Sequence, residues 1–317
     1  YLTKWLEHAK SKVAGKTFER YQGIVTQHLI PALGSYPLAK LKPLHIQEYY
    51  ARAMQTGRLD GKEGGLSPQT VLHHHRILKE ALSQAVRWQI IAHNPADAVE
   101  PPRVGRKEMK VLTPGQIDRL LEAARGSRLY IAIVLAVATG MRRGEILGLR
   151  WQDVDLSAGT VSVCRTLEIT KGRVAFKEPK STKSRRVISL PAFAVDALRR
   201  HKVEQAEHRL RAGPAYEDQG LVCATERGTP MIHNFERDYL ALLDKANLPR
   251  VRFHDLRHSH ATLLLVQNVH PKIVSERLGH SAIGVTLDVY SHVLPAMQQE
   301  AAAKLDTLLQ SARKTSS

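Results

Sequence analysis

Residues 130–138 read YIAIVLAVA, the longest apolar run in the chain, and Thr139 and Gly140 follow it. A helix from Arg128 to Thr139 would have almost no polar face, so it must be surrounded by other elements rather than laid on a surface. The run is too short to span a bilayer, and Gly140 stands where a left-handed residue would end the helix. A domain core is therefore built around this segment. The next stretch, MRRGEILGLRWQDVD, emerges directly from that core. Arg142 and Glu145 are three apart on a new helix whose Ile146 and Leu149 face inward, so the carboxylate can hold the guanidinium. Taken alone, the pair would be an ordinary helix ion pair.

From Gly159 to Leu190 the pattern changes to strands: TVSVCRTLEI, then GRVAFKE, then SRRVISL, with turns at Lys171-Gly172 and at residues 180–184. These runs predict a small three-stranded antiparallel sheet. Residues 192–211 then form a charged helix that shows no chemistry and reads as a solvated outer wall or a backbone contact.

The most chemically loaded stretch is Val251 to Val293. His254 and Arg257 lie three apart at the start of an apolar-periodic run, so a helix puts both on one face, where they can address one anion. Gly279 ends a second helical pattern, His280 follows it, and Tyr290 lies in a short third helix, TLDVYSHV. A phenol with an ordinary pKa of about 10 is a poor nucleophile near pH 7 unless neighbours take its proton or stabilise its anion. Histidines and arginines do both. His254 and His258 share a helix face, but no third ligand stands nearby and Arg257 would place a charge beside a cation, so a metal is not expected.

In order along the chain, Arg142, His254-Asp255-Leu256-Arg257, Leu278-Gly279-His280 and Tyr290 resemble the active site of the tyrosine recombinase (phage integrase) family. The resemblance covers the C-terminal two thirds of the chain. It implies Tyr290 as nucleophile, Arg142 and Arg257 as the two catalytic arginines, Glu145 as the acid that orients Arg142, and His254 and His280 as hydrogen-bonding partners. It also places a catalytic lysine on the hairpin before the last strand. PKSTKSRRVISL matches that pattern, with Lys180 favoured by counting back from Leu190 and Lys183 as its competitor, because hairpin length varies.

The implied reaction is cleavage and rejoining of DNA through a 3′-phosphotyrosine link, with strands exchanged through a Holliday junction by a homo-tetramer on paired sites. An accessory DNA-bending or excision factor is a possible further partner. Integrases of phages and integrative elements are the nearest kind. A type IB topoisomerase uses nearly the same constellation and is the alternative enzyme, and a catalytically silent DNA-binding protein is the alternative binder; the intact motif argues against the latter. No P-loop, dinucleotide fingerprint or zinc-ligand spacing occurs, so neither cofactor nor metal is expected.

Charge agrees with a phosphate-bearing partner. The 317 residues carry 47 Lys and Arg against 30 Asp and Glu, a formal charge of +17, which points to nucleic acid without choosing between DNA and RNA. Residues 1–102 read as helices. Ser67-Pro68 opens one of them as an N-cap followed by proline, after a glycine-rich loop over 57–65. The triplet His73, His74, His75 fans around that helix and cannot converge on one ion; His75 falls on the apolar stripe, and solvated or DNA-facing histidines are the expectation.

By resemblance, residues 1–102 are a core-DNA-binding domain, and the whole is mainly α with a small antiparallel β-sheet, forming a C-shaped DNA clamp. Residues 103–112 form a basic linker after Pro101-Pro102. The catalytic domain spans 113–296 and opens with a capping box at Thr113-Pro114-Gly115-Gln116. Residues 297–317 form a tail helix with the stripe Met297, Ala301, Leu305, Leu308 and Ala312, which either folds back on its own domain or, as in the family, packs into a neighbouring protomer. Cys164 and Cys223, without metal spacing, are expected as buried free thiols of a reducing, cytoplasmic compartment. No secretory or membrane segment is seen. The chain begins at Tyr1 without methionine, which leaves room for a missing N-terminal arm-binding domain.

Overall fold

The structure, a computed structural model, describes residues 1–105, 109–170, 172–178, 185–280, 282–290 and 306. Lys180, Lys183 and the tail stripe Met297, Ala301, Leu305, Leu308 and Ala312 lie outside the described residues. The chain divides into two compact units, Tyr1–Lys107 and Glu108–Ser317.

The first unit is helical: α1 (Leu2–Lys10), α2 (Gly15–Ile24), α3 (Ile30–Leu33), α4 (Pro43–Thr56) and α5 (Pro68–Arg87). A π-helical turn, Val25–Leu29, joins α2 to α3. Pro31 has no N–H and its ring crowds the carbonyl four residues back, so the helical ladder loosens just before it. Ser67 caps α5, its Oγ accepting from the Thr70 N–H at 3.2 Å. Trp5, Val25, Leu29, Ile46, Tyr50, Leu78 and Leu82 form the core.

Two of the three histidines depart from the expectation of solvated side chains, although His75 does lie on the apolar stripe. His74 and His75 are buried, 1% and 7% exposed, and each meets a tyrosine of α4: Tyr49 Oη lies 2.7 Å from His74 Nδ1, and Tyr50 Oη 3.0 Å from His75 Nδ1. They do not face solvent. Two adjacent positions on α5 straddle the side that packs on α4, where consecutive tyrosines supply the partners buried imidazoles require. Burial pushes the His74 pKa down to about 4.

In the second unit, α6 (Pro114–Ala124) opens with the expected capping box: Gln116 N donates to Thr113 Oγ1 at 3.3 Å, and Thr113 N to Gln116 Oε1 at 2.9 Å. The apolar run is α7 (Tyr130–Thr139), buried along nearly its whole length. Around it pack α6, α8 (Arg143–Leu147), α9 (Ala192–Ala212) and α11 (Asp255–Val266). Gly140 ends α7 at φ 65°, as the pattern predicted. The α9 face bearing Ala194, Val195, Ala197 and Leu198 is buried, with α9 packed against α7, and Gln205 further along the helix is buried as well.

The strands divide differently from the expected single sheet. β1 (Val154–Asp155), β2 (Thr160–Val163) and β5 (Arg186–Ser189) form one antiparallel sheet in the order β1-β2-β5, while β3 (Thr166–Thr170) and β4 (Arg173–Lys177) form a separate hairpin. The run TVSVCRTLEI is thus broken at Cys164-Arg165. Two contacts explain the break. Arg165 turns aside to pair with Asp153, and α8 lies directly on the β3 backbone: a Cβ on Gly144 would come within 2.7 Å of Leu167 O, and one on Gly148 within 2.9 Å of Leu167 N. β5 takes the vacated place beside β2, pairing Val161 with Ile188 and Val163 with Arg186. The thiols are free; Cys223 is buried, whereas Cys164, at the strand break, is only half-buried.

After α9 come α10 (Phe235–Lys245), α11, α12 (Pro271–Leu278) and α13 (Ile283–Tyr290). Ala261 and Leu265 of α11 pack on Val274 and Leu278 of α12.

Candidate active site

The site grows from the end of α12. Gly279 adopts φ 65°, ψ 48°, and its N–H donates to Glu276 O at 3.0 Å while the His280 N–H donates to Ser275 O at 3.1 Å. This double closure, which a left-handed glycine permits, satisfies the carbonyls of 275 and 276. The next three carbonyls lie at the negative end of the helix dipole. Each accepts from a different arginine: Arg277 O from Arg186 Nε at 2.6 Å, Leu278 O from Arg257 Nη2 at 2.7 Å, and Gly279 O from Arg142 Nη2 at 3.3 Å.

Arg257 sits in the first turn of α11 and is 3% exposed. Its Nη1 donates to Gly140 O at 2.7 Å, so the guanidinium joins the end of α7 to the end of α12. Arg142 caps α8 rather than lying within it. Its backbone N–H and its Nη1 both donate to Glu145, at 2.9 and 2.8 Å, which is the carboxylate–guanidinium hold expected from the spacing.

Glu145 also accepts from Arg186, with Nη2 at 2.8 Å and Nη1 at 3.3 Å. Burial alone would raise its carboxyl pKa, but the hydrogen bonds and charge of Arg186, joined by those of Arg142, hold it below the usual range. Sequence reasoning passed over Arg186. A signal was present: on β5 it is in phase with buried Ile188, while the apolar Val187 between them is 66% exposed. A strand with an arginine on its inner face needs a buried anion, and Glu145 is that anion.

His254 caps the start of α11, exposed, its ring edge-to-face with that of His258 at 5.3 Å. Although His254 is exposed as a whole, partial desolvation of its ring and then the Arg257 charge lower its pKa; burial and then His254 push His258 down to about 4. His280 is half-buried, and its Nδ1 lies 2.8 Å from the Thr286 hydroxyl of α13. Burial, then Arg257 and Arg142, take its pKa to about 4. At neutral pH these imidazoles are uncharged beside the guanidiniums.

Tyr290 follows Thr286 by four residues at the end of α13; its side chain, like Lys180 and Lys183, lies outside what the structure describes. The described structure thus brings Arg142, Glu145, Arg257 and His280 around one turn, with His254 at the head of the helix that bears Arg257. Among the described residues no group of three or more His, Cys, Asp or Glu could hold a metal ion. None of their helices is long and apolar enough to cross a membrane.

Residues 110–297 match the model of the phage integrase family, and residues 1–54 that of the phage integrase N-terminal SAM-like domain. The chain belongs to the phage integrase family. It is 31% identical over 312 residues to a tyrosine recombinase XerC-like protein of Caldanaerobacter subterraneus subsp. tengcongensis, covering 92% of this chain and 78% of that one. It is 28% identical over 294 residues to the ICEBs1 integrase of Bacillus subtilis, again covering 92% and 78%.

Among solved structures, the Tn1549 transposon integrase in complex with transposon right end DNA superposes with a TM-score of 0.80 at 24% identity, covering 95% of this chain and 98% of that one. The lambda integrase tetramer bound to a Holliday junction gives 0.64 at 19% identity, covering 89% and 76%. These likenesses establish the fold, mainly helical with small antiparallel sheets. Family membership makes this integrase a tyrosine-type site-specific recombinase acting on DNA.

Proposed function

We propose that this integrase cleaves and rejoins DNA through a 3′-phosphotyrosine link, with Tyr290 as nucleophile, and so integrates or excises a mobile element. The observation that carries this reading is the anchoring of Arg142 and Arg257 on one turn, Leu278–Gly279, whose next residue is His280.

In this scheme Tyr290 Oη attacks the scissile phosphorus, a P–O bond to tyrosine forms, and the P–O5′ bond breaks. Arg142 and Arg257 take up the extra negative charge of the transition state. His254 and His280, uncharged at neutral pH, accept or donate hydrogen bonds at the phosphate and relay the tyrosine proton. Thr286 holds one ring nitrogen of His280, leaving the other for substrate. Glu145 orients Arg142. Lys180, favoured over Lys183, protonates the departing 5′ oxygen. Because the bond energy is kept in the phosphotyrosine, a 5′ hydroxyl of another strand can reverse the step without ATP or metal.

The larger assembly follows from the same reading. Residues 1–102 and 113–296 both contact the duplex, and the net charge of +17 supports phosphate contact. Four protomers act on paired sites in the cytoplasm, with the 297–317 tail exchanged between them and an accessory DNA-bending or excision factor assisting. The lambda integrase tetramer on a Holliday junction is the architecture this proposal adopts.

A nicked suicide substrate tests it: the wild-type chain becomes covalently attached to DNA, and Tyr290→Phe binds DNA without attachment. Adduct formation by Tyr290→Phe would remove Tyr290 from its role. Relaxation of supercoils without any Holliday junction product would make the protein a topoisomerase instead.

A further inference from the structure

Three arginines end on the last turn of α12, yet only two belong to the constellation that the family resemblance assigns. Arg186 comes from β5, far in sequence from either. Its side chain is 7% exposed, against 41% for Arg142, so it is the Arg142 guanidinium that keeps an open side toward substrate. Arg186 reaches both Glu145 oxygens with its two terminal nitrogens and Arg277 O with Nε. The Arg277 side chain returns the contact, its Nη2 donating to Ser189 O at the end of β5 and to Ala138 O near the end of α7, both at 3.1 Å.

We propose that Arg186 is a positioning residue for DNA cleavage: it shares Glu145 with Arg142, so that the carboxylate fixes Arg142 without cancelling its charge, and it locks Glu145 to the turn that carries His280. The charge argument is direct. Arg142 with Glu145 alone is a neutral pair, whose attraction for a phosphorane-like state is that of a dipole. With Arg186 the buried set carries a net positive charge, and its exposed member is Arg142.

The fork geometry matters as well. A guanidinium can meet two carboxylate oxygens and a carbonyl in one plane, whereas an ammonium is a point charge that cannot span them. Gly279 completes the fit, since a Cβ there would stand 2.9 Å from Arg186 Nη1 and 3.1 Å from Cζ. The glycine is thus required twice, for its positive φ and for the space the guanidinium fills.

This inference rests on the phosphotyrosine reading above, and the experiment separates the two. Single-turnover cleavage of a nicked suicide substrate is measured at saturating protein for wild type, Arg186→Gln and Arg186→Lys, with DNA Kd and thermal unfolding recorded for each. Ile188→Val, a mild cavity in the same strand, controls for lost stability alone. Arg186→Gln should keep the wild-type Kd while its cleavage rate falls by about 10- to 100-fold, the range typical of groups that hold a reacting residue from behind. Arg186→Lys should fall between, and the acid limb of the pH–rate profile should move up in the Gln variant as Glu145 loses its main partner.

A folded Arg186→Gln that cleaves at the wild-type rate overturns the proposal. So does a loss matched by Ile188→Val at equal stability, or one confined to Kd. Should the Gln variant not fold, a wild-type rate in Arg186→Lys overturns the fork argument. A wild-type chain that forms no adduct at all refutes the phosphotyrosine reading first, and this inference with it.

Discussion

Gly140→Ala is expected to destabilise the second unit through two separable effects. Gly140 has φ 65° at the end of α7, and a Cβ there would stand 2.7 Å from both His260 Cδ2 and Leu278 Cδ2. The left-handed backbone costs a residue with a Cβ about 1–2 kcal/mol, and forcing a methyl against two buried side chains adds about 1–3 kcal/mol. The two obstacles are not free to yield, because His260 Nδ1 is bonded to Val137 O at 2.8 Å and Leu278 is fully buried. A loss of about 3 kcal/mol would lower Tm by roughly 6–12 °C in a domain of this size.

Fluorescence of Trp151, half-buried in this unit with its Nε1 donating to Gln205 Oε1 at 2.5 Å, reports the transition. Gly126→Ala is the control: it has φ 72° with no atom within 4 Å of a built Cβ, so only the backbone cost of about 1–2 kcal/mol applies. Because Gly140 O accepts from Arg257, Gly140→Ala should also slow cleavage well below its Tm. If the two alanine variants lose the same stability, the steric account of the α7–α11–α12 junction is wrong.

Ser67→Ala, removing the cap of α5, should cost about 1 kcal/mol in urea unfolding; an unchanged midpoint would show that the Thr70 contact contributes nothing. The pKa of His74, depressed from 6.5 to about 4 by burial, has a definite sign: the folded state refuses a proton that the unfolded chain accepts. Its contribution is therefore full above pH 6.5 and lost as pH falls through 4, amounting to about 3 kcal/mol, and His74→Asn should flatten that part of the stability–pH curve; an unaltered slope would count against it. Lys180→Ala should slow cleavage more than Lys183→Ala, with a 5′-bridging sulfur substrate restoring the rate, since a thiolate leaves without a proton; equal defects or no restoration would take Lys180 out of the acid role. DNA affinity should fall steeply between low and physiological salt as phosphate contacts release counterions, and a flat salt response would contradict a basic clamp.

Several features of this fold are local and were legible in the sequence. Ser67, Thr113, Gly140 and Gly279 mark helix ends because cap chemistry is decided within a few residues, and the α7 run announces its own burial. The Arg142–Glu145 hold likewise follows from a spacing of three. What escaped was set by tertiary partners. His74 looks like a surface residue, and His75, though on the apolar stripe, like a polar misfit there, until Tyr49 and Tyr50 on another helix meet them. The 160–169 run is uniformly strand-like, and it is divided by the Arg165–Asp153 pair and by α8, which presses Gly144 and Gly148 onto β3. Arg186 was hidden for the same reason: an inward arginine is intelligible only once Glu145, 41 residues earlier, is known to be beneath it.

The turn at Arg277–Gly279 has a consequence for the life of the newly made protein. Its arginine partners are drawn from 91, 21 and 137 residues upstream, and all of them leave the ribosome before the carbonyls that hold them. Since chains emerge from the N-terminus onward, the guanidiniums are present, and Arg142 and Arg186 can already meet Glu145, before the turn that completes their anchoring has emerged. A nascent or prematurely stopped chain can carry the basic charge that draws it to DNA while lacking an assembled means of breaking it. The complete arginine cluster arrives last, with the docking of the final helices.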